Sequence, residues 1–228
     1  MFYLDELKIL ARTIRWLPAL LKSRPGKRFT AADLIERSAR RFADRVFIES
    51  ETATISYAEF NRSANRVAHW ALERGYGRGD VVALMMENRP EFLYIWAGLA
   101  KAGATTALIN THLSGRALEH VIESANCRVL VLGDECLSAY HGLASERVKA
   151  LPMFLGRRAG TGPLLPPCGA NELDEELCRC SPENPPASVR RDLRSDDALF
   201  YIYTSGTTGL PKAARFSHAR FLAGGSYH

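Results

Sequence analysis

The sequence predicts an α/β protein: a parallel sheet covered by helices on both faces. Three observations predict it. Segments of helical periodicity alternate with short apolar segments through residues 30–132. The short segments are apolar without interruption, as strands buried on both sides are. Hydrophobic residues make up 46% of the chain and charged residues 24%, which suits a packed core and excludes wholesale disorder.

The elements follow in order. Residues 1–28 hold seven basic side chains (Lys8, Arg12, Arg15, Lys22, Arg24, Lys27, Arg28) against Asp5 and Glu6. Their balance of +5 equals that of the whole chain, so residues 29–228 are neutral, which argues against a nucleic-acid-binding protein. Over residues 3–17, Leu4, Leu7, Leu10, Ala11, Ile14 and Leu17 share one helix face, and Lys8, Arg12 and Arg15 another, with Trp16 near the boundary. Such a helix suits an anionic membrane surface, apolar face down. The same split suits a helix packed on the protein's own surface. Pro18 ends or kinks it.

Thr30 is placed to cap a helix through Arg41, and residues 46–48 and 53–55 read as short strands. Ser56 and Glu59 have the spacing of a capping box for a helix to Arg74, stopped by Gly75. Residues 81–86 form a strand, and Pro90 opens an apolar helix that ends before Gly103. Residues 105–109 form a strand, Ser114 caps a helix, and residues 127–132 form a strand. Residues 156–197 break this rhythm with Gly160-Thr161-Gly162-Pro163, further prolines and the acidic run Asp174-Glu175-Glu176, and are expected to be a surface connection. Residues 198–203 read as a buried strand, and residues 213–216 as a short strand before a helix capped by Ser217. The two are expected to form the edge of a second sheet.

Between those strands lies the run Tyr203-Thr204-Ser205-Gly206-Thr207-Thr208-Gly209-Leu210-Pro211-Lys212. Glycines let backbone N–H groups approach oxygen closely, hydroxyls donate to phosphate oxygens, and the lysine brings a mobile positive charge. This composition suits a polyphosphate cradle. It is not a Walker loop: Gly206 and Gly209 stand three apart, and Ala213, not a hydroxyl, follows Lys212. Nor does it have the Gly-x-Gly-x-x-Gly of a dinucleotide fold. A strand–loop–strand hairpin fits the flanking pattern better than strand–loop–helix.

Other reactive residues read as structural. His69 beside Trp70 suits packing, and His112, His120 and His141 lack partners at ligand spacing. His218 follows the loop closely; it stands either near a bound nucleotide or simply at a helix start. No Gly-x-Ser-x-Gly elbow occurs, so Ser205 reads as a phosphate donor rather than a nucleophile. The five cysteines, including Cys178 and Cys180, have no metal-pair spacing and read as reduced thiols. There is no cleavable signal pattern and no apolar run of bilayer length.

Residues 201–214 resemble the phosphate-binding motif of the adenylate-forming superfamily, which includes acyl-CoA synthetases, luciferases and peptide-synthetase adenylation domains. The wording of that motif, with Ala107-Leu108-Ile109-Asn110-Thr111-His112-Leu113 and Glu87-Asn88-Arg89-Pro90-Glu91-Phe92, is similar to the very-long-chain acyl-CoA synthetase and fatty acid transport protein group. The resemblance covers nearly all of residues 29–228. It implies the N-terminal portion of the adenylate-forming large domain, preceded by the basic segment 1–28. It implies that ATP phosphates are bound by Tyr203, Thr204, Ser205, Gly206, Thr207, Thr208, Gly209 and Lys212. The implied reaction joins a fatty acid to ATP as an acyl adenylate, with Mg2+ assisting, and then to coenzyme A. The superfamily's acidic residue near magnesium, its ribose aspartate and its mobile lysine fall beyond His228, so the chain is expected to be an inactive N-terminal fragment of such a ligase. A non-catalytic nucleotide-binding or membrane-associated remnant is the alternative. The expected location is the cytoplasm or the cytoplasmic face of a membrane.

Overall fold

The structure, a computed structural model, describes residues 26–50, 53–158, 170–204 and 209–224. The amphipathic segment of residues 3–17 lies outside the described residues.

Local signals set the first elements. Helix α1 (Ala31–Arg41) begins where the Asp33 carboxylate accepts from both the backbone N–H and the hydroxyl of Thr30, each at 2.7 Å. Strands β1 (Val46–Glu49) and β2 (Thr54–Ser56) pair antiparallel as a separate two-stranded sheet, apart from the parallel one. Helix α2 (Tyr57–Glu73) opens on the expected box: Glu59 donates its N–H to Ser56 Oγ at 3.2 Å, and Ser56 donates its N–H to Glu59 Oε2 at 2.8 Å. Helix α3 (Pro90–Ala102) ends at Gly103 in the left-handed region.

The remaining strands make one sheet. They are β3 (Val81–Met85), β4 (Thr105–Ile109), β5 (Val129–Gly133), β6 (Met153–Gly156), β7 (Ala170–Glu172), β8 (Ala198–Thr204) and β9 (Lys212–Ser217). Their order is β7-β6-β5-β3-β4-β8-β9, and every pairing but β8–β9 is parallel. Alternate residues serve opposite faces. Val82, Leu84, Val129, Val131 and Phe154 pack with Trp70, Ile95 and Leu99 of α2 and α3. Ala83, Met85, Leu130, Leu132, Met153 and Leu155 pack with Leu118, Val121 and Ile122 of helix α4 (Gly115–Ser124). Covering both faces is what makes these strands uniformly apolar.

The structure corrects two expectations. Residues 198–216 do not begin a second sheet: β8 pairs in parallel with β4, with Thr106 opposite Phe200 and Leu108 opposite Ile202. The apolar strand fills the open edge of the first sheet, a choice that local pattern does not encode. Residues 170–197 are not merely a surface connection. They supply β7, helix α7 (Leu173–Arg179) and the core side chains Leu173, Leu177 and Leu193. Short helices α5 (Leu137–His141) and α6 (Glu146–Lys149) lead from β5 to β6.

Two long-range features hold the layers together. Gly98 of α3 has no Cβ, and one there would lie 2.4 Å from Val67 Cβ and 2.5 Å from the Ala64 carbonyl of α2. The two helices therefore pack backbone against side chain at this point. Lys101 is wholly buried, yet its ammonium donates to Glu36 at 3.1 Å, Asn61 at 2.8 Å, Asn184 at 2.9 Å and also Asn65. Burial pulls its pKa down to about 8, against the opposing pull of Glu36. Arg190 joins the same Glu36 at 3.0 Å. A buried cation is tolerated because every donor is satisfied, and the network ties α1, α2 and α3 to residues 184–190.

Candidate phosphate-binding hairpin

The hairpin β8–β9 is built from one apolar strand and one polar one. Leu199 and Phe200 of β8 are buried, and Phe200 stacks on Phe216 of β9 with centroids 4.9 Å apart. From residue 212 to residue 215 β9 is exposed. The hairpin continues into helix α8 (His218–Gly224), whose start is capped by Ser217: its Oγ accepts the Arg220 N–H at 3.3 Å. The strand–loop–strand arrangement therefore holds, with a helix behind it.

Four of the eight predicted site residues, Tyr203, Thr204, Gly209 and Lys212, lie among the described residues. Because β8 runs parallel to β4, Thr204 stands at the carboxyl end of the parallel strands, the edge where open α/β sheets hold ligands. Thr204 is directly opposite Lys212 in the antiparallel register, so the two side chains share one face. Both are exposed. Tyr203 points elsewhere: its hydroxyl donates to the Val121 carbonyl of α4 at 3.2 Å, and burial raises its pKa. It fixes the strand end to α4, an anchoring role rather than a free donor. Gly209 has φ +125°, a conformation that disfavours any side chain. Ser205, Gly206, Thr207 and Thr208 lie outside the described residues.

An open groove of about 520 Å³ borders the loop, lined by Arg116, His120, Gly209, Leu210 and Lys212. Among the described residues no carboxylate lines it. Reading the sequence did not single out Arg116, and set His120 aside for want of metal partners. The available signal was their spacing of four on one helix, but nothing local reveals that this helix faces the loop.

A family profile adds to this geometry: residues 35–228 match the AMP-binding enzyme family. The chain belongs to that family. Among curated members, it is similar to "Long-chain fatty acid transport protein 1" of Rattus norvegicus, 34% identical over 84% of this chain and 29% of the relative. It is also similar to "Long-chain fatty acid transport protein 6" of Mus musculus, 32% identical over 98% of this chain and 35% of the relative. A third is "Medium/long-chain-fatty-acid--CoA ligase FadD6" of Mycobacterium tuberculosis, 31% identical over 94% of this chain and 34% of the relative. The chain thus spans about a third of the length of the curated relatives it matches.

Solved structures share the fold. The anthranilate CoA ligase AuaEII superposes with a TM-score of 0.71 at 22% identity, covering 84% of this chain and 35% of the ligase. A Mycobacterium tuberculosis fatty acyl CoA synthetase gives 0.64 at 26% identity, covering 83% of this chain and 34% of that one. The mostly parallel, helix-covered sheet is therefore the N-terminal architecture of this AMP-binding family.

The remaining candidates sort by burial. His218 is fully buried, accepts the Ala31 N–H on Nδ1 at 3.2 Å, and leaves Nε2 without a hydrogen-bond partner among the described residues. It joins α8 to α1 and does not face the groove. Burial lowers its pKa to about 4, outweighing the pull of Asp197 and Asp33. His69 Nε2 meets the Glu183 carbonyl at 3.0 Å, a packing role. Cys127, Cys136, Cys178 and Cys180 are free thiols, and burial pushes Cys127 and Cys136 up to about 12, so neither is a thiolate at neutral pH. Among the described residues no helix is long and apolar enough to cross a membrane.

His218 gives a pH-dependent expectation. Its folded pKa lies below the unfolded value near 6.5, so the unfolded chain binds the extra proton first. Its contribution is intact above pH 6.5 and is lost as pH falls toward 4, on the order of 3 kcal/mol in all. Denaturant unfolding at pH 7 and pH 4.5 should show this loss in the parent chain and a flatter response in His218→Phe. Equal slopes would remove the assignment.

Proposed function

We propose that this chain supplies the ATP-phosphate-binding part of a long- or very-long-chain fatty acid–CoA ligase, which forms an acyl adenylate and then a thioester with coenzyme A. The observation that carries the reading is the hairpin that sets Thr204 beside Lys212 at the carboxyl edge of the sheet. The names of the fatty acid transport proteins and the FadD6 ligase support the choice of acid.

In this reading the fatty acid carboxylate attacks the α-phosphate of ATP, and pyrophosphate leaves. Negative charge gathers on the departing β- and γ-phosphates. The Lys212 ammonium and the hydroxyls of Thr204, Ser205, Thr207 and Thr208 hold that charge, and Gly206 and Gly209 let backbone N–H groups join them. The residues fit a polyphosphate: among the described residues the groove is lined by Arg116, His120, Gly209, Leu210 and Lys212, with no carboxylate. Among the described residues there is no cluster of three metal-ligating side chains. Magnesium, bound with the nucleotide, would add positive charge there.

The test is fatty-acid-dependent exchange between ATP and pyrophosphate. A protein joining this chain to the remaining two thirds of its relatives' length should catalyse it. The 228-residue chain alone should bind ATP weakly and show no exchange above background, because this reading gives it the phosphate contacts and not those to ribose and the α-phosphate. Exchange by the chain alone would overturn the division of labour. Absence of fatty-acid-dependent exchange in the longer protein would overturn the ligase reading.

A further inference from the structure

The groove beside the loop has a second wall, and that wall is not part of the phosphate motif. Arg116 and His120 stand four residues apart on α4, hence on one face of the helix. Across the groove lie Gly209, Leu210 and Lys212. The two walls are fixed relative to one another by the hydrogen bond from Tyr203 to the Val121 carbonyl, one residue past His120. Arg116, His120 and Lys212 therefore border one open space of about 520 Å³.

The acidic residues of α4 are turned away from that space. Glu119 accepts the backbone N–H groups of Ala144 and Ser145, which hold its carboxylate below the usual range. Glu123 accepts the Ser145 hydroxyl at 2.7 Å. Among the described residues, neither Arg116 nor Lys212 has a carboxylate partner. The cations Arg116 and Lys212, bordering one space without a carboxylate partner among the described residues, favour a multiply charged anion there.

We propose that Arg116 and His120 form a second half of the phosphate site, receiving the terminal diphosphate of ATP and the free pyrophosphate it becomes. This rests on the reading that the hairpin binds ATP. It goes further by assigning the leaving group to a wall built by α4. The ligand class is a diphosphate, carried by ATP and by pyrophosphate. Coenzyme A also carries a diphosphate, so the experiment separates the sources.

The experiment titrates the full chain by calorimetry with inorganic pyrophosphate, ATP, AMP and coenzyme A. The variants are Arg116→Gln, His120→Gln and, as a reference, Lys212→Ala. Arg116 is exposed and His120 half-buried, so unchanged thermal unfolding confirms that each variant is folded. Removing one charge-assisted donor should weaken pyrophosphate and ATP about tenfold while leaving AMP and coenzyme A unchanged. Added salt should shrink the difference. If both α4 variants bind pyrophosphate as the parent does while Lys212→Ala loses it, the α4 assignment fails and the hairpin reading stands. If Lys212→Ala also binds normally, both fail. No measurable pyrophosphate binding by the parent chain overturns the proposal, as does equal weakening of AMP or a loss confined to coenzyme A.

Discussion

Replacing Lys212 by alanine should lower fatty-acid-dependent ATP–pyrophosphate exchange about a hundredfold or more, in a protein in which this chain is joined to the rest of its relatives' length. The reason is where the charge develops. As the α–β bond breaks, the pyrophosphate takes on charge that the ground state spreads over the whole triphosphate. Lys212 is the cation opposite Thr204 at the strand ends, exposed and free to follow it. Thr204→Ala removes a neutral donor and should cost less, about 1 kcal/mol if the hydroxyl bonds equally in both states. Thioester formation from preformed acyl adenylate should be nearly unaffected by Lys212→Ala, since pyrophosphate has left by then. Unchanged exchange in the Lys212 variant would remove the role given to this loop. An equal fall in both half-reactions would instead mean that Lys212 supports the fold.

Trp70→Ala should destabilise the chain by about 3–5 kcal/mol, read from the midpoint and slope of denaturant unfolding. Trp70 is 2% exposed and meets Phe154 of β6 edge to face, with centroids 4.9 Å apart. Its indole N–H donates to Glu176 of α7 at 2.8 Å, and Arg74 pairs with the same carboxylate. Truncation leaves a cavity between helix and sheet and strips a donor from Glu176. Trp70→Phe, which keeps most of the packing, should lose about 1 kcal/mol, the share of the hydrogen bond. A loss below about 1 kcal/mol for Trp70→Ala would mean that residues 173–179 do not pack here as a fixed element.

Much of the architecture was legible because its causes are local. Thr30, Ser56 with Glu59, Pro90 and Gly103 set helix ends through interactions within one turn, and each end falls where the residues place it. The unbroken apolar strands announced a sheet buried on both faces. The strand–loop–strand hairpin of residues 198–217 was legible from flanking periodicity.

What escaped the sequence has partners far away along the chain. Residues 170–197 look like a connection because prolines and acids dominate them. Their anchors are Glu176 to Trp70 and Asn184 to Lys101, partners 106 and 83 positions apart along the chain. The joining of β8 to β4 was equally invisible, since an apolar strand fits any open edge and only the assembled sheet shows which edge is free. By itself, then, the sequence determined the fold class, the boundaries of the helices at 31–41, 57–73 and 90–102, and the strand–loop–strand pattern around residues 203–212. The tertiary structure alone decided that His218 is a buried tie to Ala31, and that Arg116 and His120 face Lys212 across one groove. The physical reason is that periodicity reports which face of an element is apolar, whereas the neighbour of its polar face is set only when the layers pack.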